Sequence, residues 1–460
     1  MKRVITLLLA VLLVVSMAAC SSGTANSGSS SSGDASTSES TPAEDSSSEA
    51  AGDGEGKVIH WMCSSAETES WVQAVLAIAD EYAQSNPGFE LIYENATDQA
   101  ARSQKIKILA SSDALPEWIA TDSDPFMQGL AKNGDIVDVK ALIEELGETD
   151  NFYEIAYKFN AFDDGSLYFF SFLSVMEYFW YHPSQFEQAG ITEEPATFAE
   201  FEECLKKLKD AGLQPLGMCS SEWYLERYDA FYPFRLEGND FINKLKFNEA
   251  DMSSETGLAA ANWMASLSPY LMEGWAAMDN SDMIEAFLAG NSAMCYYGTW
   301  DPTIFMDEEF NMKEDLDMFM LPMIGDGTDV NVATDGWCNS GTGTAFSTKG
   351  MDDAHKAFLA YMIDEIPGKA AEYGFLPAVK PTDEQLASMP TFQQNVLKDV
   401  LAVKDFGTCW DINVDASTYE VLGKETANLM LGQITPEEFC KLVDDCVDAN
   451  AEAYWASLEE

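Results

Sequence analysis

The chain has 460 residues, enough for about two or three domains, and 47% of them are hydrophobic, an ordinary fraction for a chain that buries a core. Its 78 acidic residues against 25 Lys and Arg give a formal charge of −53, a surface that repels nucleic acid and anionic lipid headgroups and argues against a polyanionic substrate. None of the nine cysteines forms a C-x-x-C pair, and His60, His182 and His355 are too few and too scattered to suggest a histidine metal site, so no metal centre and no cofactor is expected. Cys63, Cys204, Cys219, Cys295, Cys338, Cys409, Cys440 and Cys446 read as buried free thiols, because their scattered spacing permits disulfides without requiring them.

Residues 1–20 hold Lys2 and Arg3, an apolar run from Val4 to Val15, and then Ser16-Met17-Ala18-Ala19-Cys20, the layout of a signal peptide. A cysteine directly after Ala18-Ala19 resembles the end of a bacterial lipoprotein signal, whose cysteine receives the lipid. Met17 departs from the more usual Leu. The resemblance implies a palmitate-type anchor on Cys20. Residues 21–56 are almost wholly Ser, Gly, Ala, Thr, Asp and Glu, so they read as a disordered polar tether, reaching roughly 30–35 Å r.m.s. as a random coil. After Cys20 no apolar run is long enough to span a bilayer.

The folded body begins with a strand at Lys57–Met62. Apolar residues at 71, 72, 75, 76, 79 and 82 predict a helix over Trp71–Tyr82. A strand at Phe89–Tyr93, a helix at Gln99–Ala110 and a strand at Glu117–Ala120 follow, and this alternation implies a mostly parallel sheet with helices on its faces. The stretch Leu167–Tyr181 is too long and too β-prone for one ordinary strand, and reads as a strand that crosses between two lobes and continues as another. Glu177 is its only charge: a lone carboxylate there is either functional or on an edge facing water, because burying it unpaired is costly. Thr197 and Glu200 predict a capping box for a helix over Thr197–Asp210. Pro215–Met218 reads as a return to the sheet, and Ser220–Tyr224 as a loop at its end that carries Trp223.

Helices are expected over Thr256–Leu267 and Asp282–Ala289, the second stopped by Gly290. Ala293–Tyr297 is then a strand, and Gly298 lets the backbone turn so that Trp300 and Asp301 stand at a strand end, where ligands of α/β proteins gather. Asp317–Pro322 and Ala345–Ser347 read as strands, Asp352–Asp364 as a helix, and Gly374–Pro377 as a second crossing. The last helix opens on Thr435, Pro436 and Glu438, a capping box with Pro at the first position. No G-x-S-x-G, H-E-x-x-H or Walker motif is present, which lowers the case for an enzyme.

Taken in order, D-G-S-L-Y-F-F-S-F, F-W-Y-H-P-S-Q-F-E-Q-A-G-I with P-A-T-F-A-E-F, F-L-A-G-N-S-A-M-C-Y-Y-G-T-W, G-F-L-P-A-V-K and I-T-P-E-E-F resemble the extracellular solute-binding proteins of family 1, the maltose-binding-protein-like receptors of bacterial ABC importers. His182 stands where that family usually has Asn, and Ser171 and Phe172 replace the proline region of its first crossing. The resemblance implies an α/β, two-lobed periplasmic-binding-protein fold of type II. Residues 57–171 and 326–375 would form an N-lobe, residues 172–325 and 376–460 a C-lobe, with a hinge between them closing on a cleft. It also implies a non-enzymatic, monomeric carrier, held to the outer face of the cell membrane by Cys20, which binds a carbohydrate and delivers it to the transmembrane subunits of an ABC permease. The site residues it implies are Trp300, Asp301, Trp223, Glu177 and Asp122, with Glu67 and Trp337 on loops facing the same cleft. Aromatic faces for sugar C–H surfaces and carboxylates for hydroxyls suit that ligand. A glycoside hydrolase, or a sensor or adhesin lipoprotein binding polysaccharide, is the alternative.

Overall fold

The computed structural model describes residues 57–459 apart from 98, 163 and 413, so the signal peptide, Cys20 and the tether lie outside the described residues. Among the described residues eight strands fall into two sheets. In the first, β1 (Val58–Cys63), β2 (Glu90–Asn95), β3 (Trp118–Ala120) and β8 (Thr344–Phe346) lie in the order β2-β1-β3-β8. β1 pairs parallel with both β2 and β3, as the βαβ alternation predicts, and only β8 runs antiparallel. Side chains alternate across this sheet. Ile59, Trp61 and Cys63 face one apolar layer with the helix Ser70–Ser85, while Met62 and Ile119 face a second layer with Ile106 and Met127.

The second sheet is antiparallel throughout. β4 (Val175–Tyr181) lies between β5 (Met294–Gly298) and β6 (Asp317–Phe319), and β7 (Cys338–Asn339) pairs with the start of β4. Every residue of β4 is buried. Such a strand, covered on both faces, cannot show an alternating pattern.

The stretch Leu167–Tyr181 passes from the first sheet to the second, in keeping with its reading as a crossing, but only its later part is a strand. Only Val175–Tyr181 forms a continuous ladder; Leu167, Phe170 and Leu173 make isolated bridges. The reason lies in the change of partners. Phe170 bridges Thr344 of the first sheet, Leu173 bridges Pro377, and Val175 pairs with Asn339 of the second. A segment that passes from one sheet to another cannot keep a single register. The Gly374–Pro377 stretch runs beside it, with Ser174 N donating to Leu376 O at 2.9 Å.

The predicted caps form. Thr197 and Glu200 exchange hydrogen bonds at the head of the helix Phe198–Asp210, and Thr435 and Glu438 do so before Pro436–Glu459. Three readings are corrected. Pro215–Met218 makes only isolated bridges, at Leu216. The expected loop around Trp223 is the first turn of the helix Glu222–Glu237. The helix predicted over 352–364 continues through Pro367 to Tyr373, because that proline is buried against the core, where packing outweighs one lost backbone hydrogen bond. The eight cysteines of the described residues are free, seven of them buried. Among the described residues no helix is long and apolar enough to cross a membrane, and no cluster of His, Cys, Asp and Glu is disposed to hold a metal.

Candidate functional site

A cavity of about 520 Å³ opens where the two sheets meet, within the range of about 300–1,000 Å³ typical of small-ligand sites. Its first wall comes from the carboxyl ends of β1 and β3. After Cys63 the chain turns through Ser64 and Ser65 into the helix Ser70–Ser85. Glu69 closes that turn: one carboxylate oxygen accepts from Ala66 N at 2.9 Å, the other from the Trp71 indole at 3.1 Å. Burial raises the Glu69 carboxyl above its usual value, against the lowering effect of those two bonds. Trp71 stacks on Phe172 at 5.3 Å, which fixes the indole that faces the cavity. Asp122 follows β3, 3.7 Å from the Arg102 guanidinium.

The opposite wall comes from the second sheet. β5 ends at Gly298, and Trp300 folds back over that glycine. A Cβ at position 298 would lie 2.7 Å from the Trp300 ring, so only glycine permits the fold-back. Trp300 meets Trp223 edge to face at 5.3 Å and Tyr297 at 5.1 Å. All three rings line the cavity. Asp301 accepts from Thr303 Oγ1 at 2.6 Å, which turns the chain into the short helix Pro302–Phe305. It also accepts from Ser70 Oγ at 3.1 Å, so one hydrogen bond joins the two walls.

Beneath lies a charged floor. Glu177, 1% exposed, accepts from Arg227 Nε at 3.2 Å and from Asn339 Nδ2 at 2.8 Å. Arg227 also donates to Asp411 at 2.7 Å and lies over the Trp223 ring at 5.6 Å. Burial pushes the Glu177 carboxyl up, and the adjacent Arg227 charge opposes it. Arg227, Asn339 and Asp411 line the cavity, and Glu177 holds two of them from behind.

Of the residues singled out in the sequence, Trp300, Asp301, Trp223 and Asp122 stand together on this cavity. Glu177 sits one layer below it. Trp337 does not reach it: the ring is 1% exposed and packs edge-on to Phe231 and Phe234 at 5.2 and 5.1 Å, so it belongs to the core of the second half. Glu67 is exposed and off the cavity lining, because the turn that brings Glu69 back to Ala66 places Glu69 there instead. Cys20 lies outside the described residues.

Sequence reasoning missed Glu69, Trp71, Arg227, Asn339 and Asp411. Trp71 opened an apolar helical pattern and so read as core. Arg227 and Glu177 are fifty residues apart, and only the lone charge at Glu177 hinted that a buried partner existed. The lining therefore alternates aromatic faces with carboxylates, an amide and a guanidinium. Among the described residues no histidine or cysteine lines it. Such a surface presents apolar platforms and many hydrogen-bonding edges to a polar ligand.

The chain belongs to the family described as bacterial extracellular solute-binding protein, which it matches over residues 65–366. No curated protein sequence matches it. Among solved structures it is similar to a chitin oligosaccharide binding protein, with 20% identity and a TM-score of 0.72 over 86% of this chain and 100% of that one. It is also similar to the GacH receptor of Streptomyces glaucescens, solved unliganded and with acarbose, at 17% identity and a TM-score of 0.66 over 88% and 100% of the two chains. A third is the cyclic alpha-maltosyl-1,6-maltose binding protein of Arthrobacter globiformis, at 17% and 0.64 over 87% and 100%. The fold is thus the two-lobed α/β architecture of the sugar-binding receptors.

Proposed function

We propose that this protein is the substrate-binding subunit of an ABC importer, taking a carbohydrate into the cavity between its two sheets and handing it to a membrane permease. The observation that carries the reading is the wall formed by Trp300, Trp223 and Tyr297 opposite Trp71, interleaved with Asp301, Asp122, Glu69 and Asn339. Sugar rings offer apolar C–H faces and a rim of hydroxyls, and this lining offers stacking surfaces and acceptors to match. Similar receptors in complex with acarbose and with raffinose support the same ligand class. The two lobes would be residues 57–171 with 340–375 and 172–339 with 376–460, the return to the first lobe falling after Asn339 rather than at 326 because Trp337 packs on Phe231 and Phe234 and Cys338–Asn339 pairs with β4. The Ser70–Asp301 hydrogen bond is one that closure over a ligand would make and opening would break. Cys20 would carry the lipid and residues 21–56 would tether the body to the outer face of the membrane.

The direct test is a thermal-shift screen of the mature protein against mono- and oligosaccharides, with products analysed after incubation. A ligand at a hundred times its Kd raises stability by about 2.7 kcal/mol. Binding without turnover supports the reading; turnover would make the protein a glycoside hydrolase. Incorporation of labelled palmitate into the wild type and its loss in Cys20→Ser tests the anchor.

A further inference from the structure

A second cavity, of about 560 Å³, adjoins the first and shares Ser64, Ser65, Asp122, Trp223, Thr342 and Asp411 with it. Trp223 stands at the junction and belongs to both. Beyond it the walls change: Arg102 and Phe126 come from the first half, Tyr419 and Tyr454 from the last two helices, Ala416–Met430 and Pro436–Glu459. From the shared lining and this new aromatic rim we infer that the two cavities form one trough for a neutral oligosaccharide of at least three units, with a second binding subsite around Tyr419. The inference rests on the carbohydrate reading above and adds to it the ligand's length and charge.

Three observations carry it. First, each cavity alone has the volume of a small-ligand site, so a monosaccharide would leave one of them unfilled. Second, the far cavity is built for the same chemistry as the near one. The Tyr419 ring is partly exposed on its wall, and its hydroxyl makes no hydrogen bond to the described residues. Burial, with the charges of Asp411 and Glu222 nearby, holds that phenol protonated far above neutral pH, so it remains a donor for a sugar oxygen. Third, the trough is acidic. Glu69, Asp122, Asp124, Asp301 and Asp411 line it against Arg102, Lys107 and Arg227, and two of those cations are already matched: Arg227 to Glu177 and Asp411, and Arg102 to Asp122. The third, Lys107, is exposed and lies over the Phe126 ring at 5.7 Å, so a uronate would meet one lysine amid five carboxylates, whereas neutral hydroxyls find acceptors throughout.

Calorimetric titration of the mature protein with malto-, xylo- and chito-oligosaccharides of one to six units tests the inference, alongside a xylo-oligosaccharide bearing a glucuronate. The expected result is a series whose affinity rises with length to at least three units and falls when the glucuronate is present. Tyr419→Ala should then weaken the longer members by about 3- to 10-fold while leaving the one-unit probe unchanged. Phe126→Ala, on the opposite wall, should do the same, and serves if Tyr419→Ala fails to fold. Equal affinity for short and long members, equal loss across all lengths in both variants, or tighter binding of the glucuronate probe would overturn the inference and leave the carbohydrate reading standing. Failure of every probe to bind would overturn that reading and this inference with it.

Discussion

The two halves of the molecule are held together by different physics. The first half packs around Trp61, whose ring lies within 6 Å of Trp71, Tyr93, Trp118 and Phe172. A buried titratable group among these rings is His355, which accepts the Trp118 indole hydrogen at 2.6 Å and is therefore neutral. The second half runs the helix Glu222–Glu237 through its interior with Glu226, Arg227, Asp229 and Arg235 all at 4% exposure or less. Apolar burial tolerates imperfection, because each lost contact costs little. Buried charge does not, because its Coulomb partners must all be present. The difference follows from the site: the second half must hold a guanidinium at the cavity, and Glu177 and Asp411 are the anions that let it stay there.

Breaking that set should give the largest effect. Arg227→Met leaves Glu177 buried with only the Asn339 amide, and should cost about 3–5 kcal/mol in urea unfolding. Adding Glu177→Leu removes the stranded charge and should recover much of the loss. A cost below about 1 kcal/mol in the single variant would show that the network is dispensable, and the contrast between the halves would fall with it.

The next pair of variants uses tryptophans that look alike in sequence, each within two residues of an Asp and a Gly. Trp337→Ala should cost about 3–5 kcal/mol of stability, because the ring fills the space between Phe231, Phe234 and Gly407. Trp300→Ala should leave the fold nearly intact and weaken oligosaccharide binding by about 1–3 kcal/mol. Unfolding by Trp300→Ala, with unchanged affinity in the folded fraction, would make that ring core and remove it from the site.

These two residues also show what was legible in the sequence. The βαβ half could be read because parallel strands alternate with amphipathic helices, and the caps at Thr197 and Thr435 could be read because a capping box is local. Trp300 could be placed because its neighbours, Gly290 and Gly298, announce a strand end. Trp337 lies in a Gly-, Asp- and Asn-rich stretch that resembles a binding loop, yet Asp335 bonds Val332 N, Lys404 N and Asp405 N and draws the segment inward. Those partners are up to seventy residues away, beyond any local pattern. Arg227 was missed for the same reason: its meaning comes from Glu177 and Asp411, and its own helix gives no sign of it.

The smallest effects distinguish the halves by the sign of their response to acid. Burial pushes His355 down from 6.5 to about 4, so between those values the unfolded chain binds a proton that the folded one refuses. This contribution is intact above pH 6.5 and is lost by about 1.4 kcal/mol for each pH unit below it. Glu226 has the opposite sign. Its carboxylate oxygens have no hydrogen-bond partner, and burial, reinforced by Asp411 and Asp229, raises its carboxyl well above 4.5. The folded protein keeps that proton while the unfolded chain releases it, so this group costs stability as pH rises above 4.5. Glu226→Gln should therefore stabilise the protein by about 1–3 kcal/mol at pH 7, and the gain should shrink as the pH falls toward 4.5. His355→Gln should lower stability at pH 7 and flatten the loss between pH 6.5 and 5. Urea melts of the three proteins from pH 4.5 to 7.5 measure both slopes. Were Glu226→Gln destabilising at pH 7, Glu226 would be ionised and matched in the folded state, and the second half would bury its charges in a complete network rather than with one carboxyl held neutral.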